Sequence, residues 1–282
     1  EKQMEAMGNL TTIEVHRHFY DDSSRRGDSR PEPATIDDKV IDKIGQIKGV
    51  KAVTPVMHRS GKLISGKYMA WVQLLGVRPD AMEAMGFVTT EGRLLSQGEH
   101  DMLLFGSNAA RDFYNPKASR WGNPGGLPAV NVMTDRIELT LDESYGEKYS
   151  NQDDKKKPAK LYKMRTAGVL EQTNDEYDWQ VIVDIGYLQK IVREHNISQG
   201  SFSPSNSSYE RAIVKVEDVN QVDHVLKEIK ALKLGTFSLQ DILQGVKKQL
   251  FMIQAVLGGI GAMSLLVAAL GITNTMVMSI YE

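Results

Sequence analysis

Residues 250–280, LFMIQAVLGGIGAMSLLVAALGITNTMVMSI, hold no charged side chain, in a chain of which 25% is Asp, Glu, Lys or Arg. A helix crossing ~30 Å of hydrocarbon needs roughly 20 consecutive apolar residues, so this run is long enough to span a bilayer and to protrude from it. A buried core helix would also accept an apolar surface all round, but the length argues for the membrane. The run lies far from the N-terminus, and EKQMEAMGNL has no apolar core, so neither reads as a secretory signal. The expectation is a piece of a longer protein, continued at both ends.

Residues 1–249 suffice for one large or two ordinary domains with a real core. A formal charge of −2 and a pI near 6.4 supply no basic face, which argues against a nucleic-acid partner. The absence of cysteine excludes disulfides, thiolate metal sites and cysteine nucleophiles.

NLTTIEVHRHF, residues 9–19, alternates as a strand does, and the polar stretch 21–35 reads as a loop. Thr35 with Asp38 resembles a capping box. The helix it opens carries Val40, Ile44 and Ile47 as a stripe, ends at Gly49 and is followed by the strand VKAVTPVM. The same order returns as strand RAIVKVED (211–218), helix NQVDHVLKEIKAL (220–232) and strand GTFS. Val40, Ile44, Ile47 and Val50 match Val222, Leu226, Ile229 and Leu232 at a constant offset of 182, and Lys48 and Lys51 match Lys230 and Lys233. Shared amphipathic chemistry gives such a stripe too, but the paired lysines and the flanking order favour an internal pseudo-repeat. Two related βαβ lobes would then sandwich what lies between them.

Between them a hairpin is expected at Ser65-Gly66, a strand through residues 69–77 and a short helix after Pro79. Strand MLLF (102–105) follows, then a helix from Ser107 to Phe113 with Asn108 near its start. The strands VNVM and RIELTLDE, a charged hairpin tip, the strands YKMRTAGVLE and WQVIVDI and the helix IGYLQKIVREHN complete a β-rich insert, closed by the polar linker 198–208. Ser238 and Asp241 form a second capping box, after which Leu239, Ile242, Leu243, Val246 and Leu250 continue a helical stripe into the apolar run. No proline interrupts residues 239–282, so one rod of about 65 Å is expected, with Gly245, Gly258 and Gly259 as the places for a bend.

Within the run, Ala255, Gly258, Gly259 and Ala262 give small-xxx-small spacings that let helix backbones approach. Small residues are common in membrane helices in any case. Asn274, with Thr273 or Thr275, is polar at membrane depth and would face protein rather than lipid. His16 and His18 share a strand face, but two ligands make no metal site, and His58, His100, His195 and His224 are scattered. Asp153-Asp154 before Lys155–Lys157 reads as a solvated turn, and Arg26-Gly27-Asp28 as a chance triplet in a polar loop. Gly122–Gly126 opens no helix, so it is no nucleotide loop. No paired carboxylates and no Ser/His/Asp order are identifiable. Neither enzymatic activity nor a cofactor is expected.

VLGGIGAMSLLVAALGITNTMVMSIYE resembles the second transmembrane helix of MacB/FtsX-type ABC transporter permeases, in wording similar to the versions of Gram-positive bacteria. Gly76 to Pro79 and the Glu91-Gly92-Arg93 triplet are similar to the extracytoplasmic core domain of that family, as is the element order. The resemblance implies an α+β fold of two βαβ porter-like lobes with an inserted sabre-like subdomain. The corresponding division is a stalk end of a preceding helix (1–8), first lobe (9–99), insert (100–205), second lobe (206–238), stalk (239–249) and transmembrane helix (250–280). It further implies a cell-membrane location with the soluble part outside, and a separate ABC ATPase subunit whose contacts lie beyond residue 282. A second permease copy, a membrane-fusion-like partner protein and membrane lipid complete the implied partners. The expected function is to couple ATP hydrolysis to export or extraction of a peptide, antibiotic or lipid-linked substrate. The alternative is an FtsX-like regulator that recruits and activates a cell-wall hydrolase. Lys247 and Lys248 flank the outer end of the run, against the usual cytoplasmic excess of basic residues, and the orientation rests on the resemblance.

Overall fold

The structure, a computed structural model, describes residues 10–17, 35–116, 130–146, 159–198 and 209–281. The chain divides into two units, Glu1–Thr236 and Phe237–Glu282, referred to below as the head and the tail. In chain order the elements are β1 (Thr12–His16), α1 (Asp38–Gly45), β2 (Val50–Ser65), β3 (Tyr68–Val77), α2 (Met82–Met85), β4 (Thr89–Gly92) and β5 (Met102–Phe105). They continue as β6 (Ile137–Thr140), β7 (Tyr162–Leu170), β8 (Gln180–Asp184), α3 (Ile185–Ser198), β9 (Arg211–Val216), α4 (Val222–Ala231), β10 (Gly235–Ser238) and α5 (Leu239–Tyr281). The class is α+β.

The first and last strands of the head form one sheet in the order β10-β1-β9-β2, with β9 antiparallel to both β1 and β2. This is the split βαβ arrangement: β1-α1-β2 and β9-α4-β10 each place a helix between strands that flank a strand of the other unit. The two pseudo-repeat units therefore interleave in one sheet instead of standing as separate lobes. Their stripes explain why. Ile41 and Ile44 of α1 and Val222, Val225, Leu226 and Ile229 of α4 are buried in one cluster with Ile13 and Val15 of β1 and Ala212, Val214 and Val216 of β9. Period-2 strand faces and period-3.6 helix stripes thus share a single core.

The helix α1 starts two residues later than the Thr35 box implies. Asp37 is its cap and accepts from the Val40 N–H at 2.9 Å. Ile36 is held extended by its bridge to Tyr209, which keeps the chain out of helical geometry there. Asp38 serves instead as acceptor for Arg78 at 2.7 Å and for the Tyr209 hydroxyl at 2.8 Å.

The strand expected over 50–57 runs on to Ser65. Its first part pairs with β9 and its second with β3, across a tight turn in which Gly66 has φ +58 and Ser65 faces Tyr68. From β2 the pairing passes through β3, β8, β5, β7 and β6 and returns to β2, so six strands close on themselves as a barrel. Alternate residues of each strand, among them Leu63, Val72, Leu74, Phe105, Leu139 and Val181, fill one cluster. Their neighbours Leu75, Leu104, Ile182 and Ala167 fill another with Met82 and Leu95. β2 and β3, which precede residue 100, thus belong to the barrel together with β5, β6, β7 and β8.

Two local expectations are corrected. VNVM is a turn and not a strand: the Asn131 side chain accepts from the Met133 N–H at 3.0 Å, and the Asn131 N–H bonds Asp135, a local alternative to a ladder. The helix expected from Ser107 is a single 3-10 turn, Ala109–Arg111, to which Asn108 gives no side-chain cap.

Candidate functional site: the membrane-length helix and the Glu91-Gly92-Arg93 clamp

The tail is one helix, α5, of 43 residues, about 65 Å long at 1.5 Å per residue. Its start is set chemically. The Ser238 hydroxyl accepts from the Asp241 N–H at 3.1 Å and donates to the Asp241 carboxylate at 3.0 Å, which satisfies one of the four orphan donors of a helix start. Ser238→Ala should cost about 1 kcal/mol and fray the first turn. Faster amide exchange at residues 239–242, with residues 255–270 unchanged, is the expected readout.

From Phe251 to Tyr281 every residue is exposed: Phe251 is 72% exposed, Leu265 74% and Ile280 80%. Each Å² of such surface left in water costs roughly 25 cal/mol, so a helix of this length needs a hydrocarbon phase. The apolar run 250–280 is about 46 Å long against ~30 Å of hydrocarbon, which leaves room for tilt or protrusion.

Leu239, Ile242, Leu243, Val246 and Leu250 lie on one face of the first turns and are exposed as well. Ala255, Gly258, Gly259 and Ala262 share a further stripe. A methyl group added at Gly258 or Gly259 would meet nothing within 4 Å, so nothing among the described residues requires these positions to be small.

The polar residues at depth divide into two kinds. Ser264, Thr273 and Thr275 donate to the carbonyls of Ile260, Ala269 and Gly271 at 3.0, 2.8 and 2.8 Å. With their hydroxyls bonded inside the helix, these three do not require a partner from another helix. The Asn274 carboxamide makes no hydrogen bond among the described residues, so it retains the need for a protein partner.

In the head, the Glu91-Gly92-Arg93 triplet has a definite geometry. Gly92 has φ +76 and faces Gly168 across the β4–β7 pair. A Cβ there would lie 2.2 Å from the Ala167 carbonyl oxygen. Arg93 closes the following loop: its guanidinium donates to Glu99 at 2.8 and 2.5 Å and to Ser96 at 3.1 Å. The two Arg93 hydrogen bonds to Glu99, with one from the Ser96 backbone N–H at 3.1 Å, hold the Glu99 carboxyl down at about 2.

Sequence reasoning missed two features of the head. Lys62 is fully buried, with its Nζ donating to the Tyr145 carbonyl at 3.0 Å and lying 4.1 Å over the Trp71 ring. A cluster of His58, Arg59, Glu210, Arg211 and Glu14 marks the place where β2 leaves the four-stranded sheet. Neither has a local signal, because partners up to 197 positions apart meet only through the sheet register. His18, the Arg26-Gly27-Asp28 triplet, Gly122–Gly126, Asp153–Lys157 and the stalk end 1–8 lie outside the described residues. Among the described residues no group of three His, Asp or Glu side chains is arranged to hold a metal.

No protein-family model matches the chain. The periplasmic region of MacB from Actinobacillus actinomycetemcomitans superposes with a TM-score of 0.53 at 14% identity, over 88% of this chain and 98% of that one. The extracellular domain of the noncanonic ABC-type transporter YknZ from Gram-positive bacteria gives 0.46 at 14% identity, over 76% and 88%. An uncharacterized ABC transporter permease of Methanocaldococcus jannaschii is 36% identical over 87 residues, 29% of this chain and 24% of that protein, so the match spans about a quarter of the relative's length. The head thus has the fold of a MacB-like periplasmic domain, and the resemblance to MacB/FtsX-type permeases is supported by fold and by sequence. The same chain continues into a helix long and apolar enough to cross a membrane, in keeping with a cell-membrane location.

Proposed function

We propose that the chain is the extracytoplasmic part and second membrane helix of an ABC transporter permease that has no catalytic activity of its own. A separate ATPase subunit hydrolyses ATP at the cytoplasmic side, and α5 carries the resulting displacement to the head, driving export or extraction of a peptide, antibiotic or lipid-linked substrate. In this reading the four-stranded sheet with α1 and α4 is the porter-like part and the barrel is the sabre-like part. The observation that carries the proposal is continuity: β10 ends at Ser238, and α5 begins at the next residue and runs unbroken to Tyr281. An α-helix of this kind transmits axial displacement because its backbone hydrogen bonds are all internal.

Ala255, Gly258, Gly259 and Ala262 then pack against another membrane helix, and a second permease copy completes the assembly. A membrane-fusion-like protein is the further partner on the outer side.

The test is reconstitution of the full-length permease in liposomes with the ATPase encoded beside it. The reading predicts that the permease stimulates that ATPase and that transport requires both. An ATPase rate indifferent to the permease would overturn it. Activation of a cell-wall hydrolase without any moved substrate would favour the regulator.

A further inference from the structure

Strand β2 belongs to both parts of the head: Val50–Val56 pair with β9, and Met57–Ser65 pair with β3. At the changeover the Arg59 guanidinium lies 2.5 Å from the Glu210 carboxylate and donates to the His58 carbonyl at 2.6 Å. Arg211, the first residue of β9, reaches Glu14 of β1 at 3.3 Å with Nη1, and its Nη2 contacts the Nε2 of His58. Alongside is a cleft of about 520 Å³ whose walls include His58, Arg59, Gln73, Glu143 and His195. The junction of sheet and barrel is therefore held by side chains around a single half-buried imidazole.

A guanidinium can only donate, so the His58 nitrogen that faces Arg211 must carry a lone pair, which makes His58 the neutral tautomer with its proton on Nδ1. Protonation removes that acceptor and sets a third positive charge between Arg211 and Arg59. The charged and titratable groups around His58 are Arg211 of β9, Glu210 just before that strand, Glu14 from β1, Arg59 on its own strand, and His195 and Glu143 across the cleft. Its partner on β3 is the uncharged Leu75. Glu14 and Glu210 are already engaged with Arg211 and Arg59.

We propose that the His58–Arg211 contact is an acid-released latch between the four-stranded sheet and the barrel. Burial, with Arg211 beside it, pushes the His58 pKa below the ordinary histidine value. The folded state therefore disfavours the proton relative to the unfolded chain. The contribution of the latch is fully present above about pH 6.5 and is lost as the pH falls below that value towards the folded pKa. An extracytoplasmic head meets such changes directly. The latch is independent of what the protein transports, so it stands or falls separately from the proposed function.

Hydrogen exchange of the full chain in detergent at pH 8 and pH 5, corrected for intrinsic rates, tests it. In the wild type, residues 55–61 and 209–213 should lose protection at pH 5, the direction that a lowered His58 pKa requires, while residues 181–183 should not change. His58→Gln keeps an acceptor that does not titrate and should abolish the loss. His195→Gln should leave it intact, which keeps the test decisive even if the first variant does not fold. Equal protection of the wild type at both pH values overturns the latch, as does a loss that survives in folded His58→Gln or disappears in His195→Gln.

Discussion

A Gly92→Val chain should fail to reach the folded head. Two costs add at this position. The backbone is left-handed at φ +76, which costs a side chain roughly 1–2 kcal/mol. The greater cost is steric: a Cβ would lie 2.2 Å from the Ala167 carbonyl oxygen and 2.6 Å from the Gly168 Cα, and both are backbone atoms of β7, a strand paired on both edges. Relief requires β4 to part from β7, which also frees the Arg93 N–H from the Ala167 carbonyl that it bonds at 3.0 Å. A loss of about 4 kcal/mol or more is expected, comparable with the whole stability of many domains. Gly66→Ala is the control. There φ is also positive, but a Cβ meets nothing within 4 Å, so only the backbone strain of about 1 kcal/mol should be felt. Urea midpoints of the two variants should differ widely, and matching midpoints would show that the approach of Gly92 to β7 is not required.

Charging the centre of α5 should abolish membrane insertion only when the charges outweigh the run. Residues 250–280 include thirteen Leu, Ile, Val and Phe side chains, together roughly 4–8 kcal/mol in favour of insertion, against about 3 kcal/mol opposed by each central arginine. Leu266→Arg alone should therefore still insert. Met263→Arg, Leu266→Arg and Leu270→Arg together should leave the chain extractable from membranes by carbonate. Carbonate-resistant membrane association of the triple variant would mean that α5 is not what anchors the chain.

The fold was legible in the sequence wherever a local period met a local signal. The stripes of α1 and α4, the Ser65-Gly66 turn and the Ser238–Asp241 cap each rest on residues a few positions apart, and each is found. Closure of the barrel was not legible, because β6 joins β2 to β7 through short pairings with strands about 75 and 25 positions away, a relation no window of alternation reports. The pseudo-repeat was visible as two βαβ units, yet their interleaving was hidden for the same reason: β1 and β2 are parted by β9, some 200 positions later. Of the candidate site, α5 and its small and polar residues could be read directly. The ring of charge around His58 was not legible, because His58 and Arg211 lie 153 positions apart and meet only through the sheet register.

The central claim is that α5 transmits displacement as one rigid element. Three glycines inserted between Gln249 and Leu250 leave the apolar run and the head unaltered but interrupt the helix at the edge of the charge-free segment. Full-length permease carrying this insertion, reconstituted with its ATPase in liposomes, should still assemble and stimulate hydrolysis, while substrate movement per ATP falls by about tenfold or more, the loss expected when a rigid coupling is replaced by a flexible linker. Substrate movement per ATP equal to that of the wild type would contradict the account.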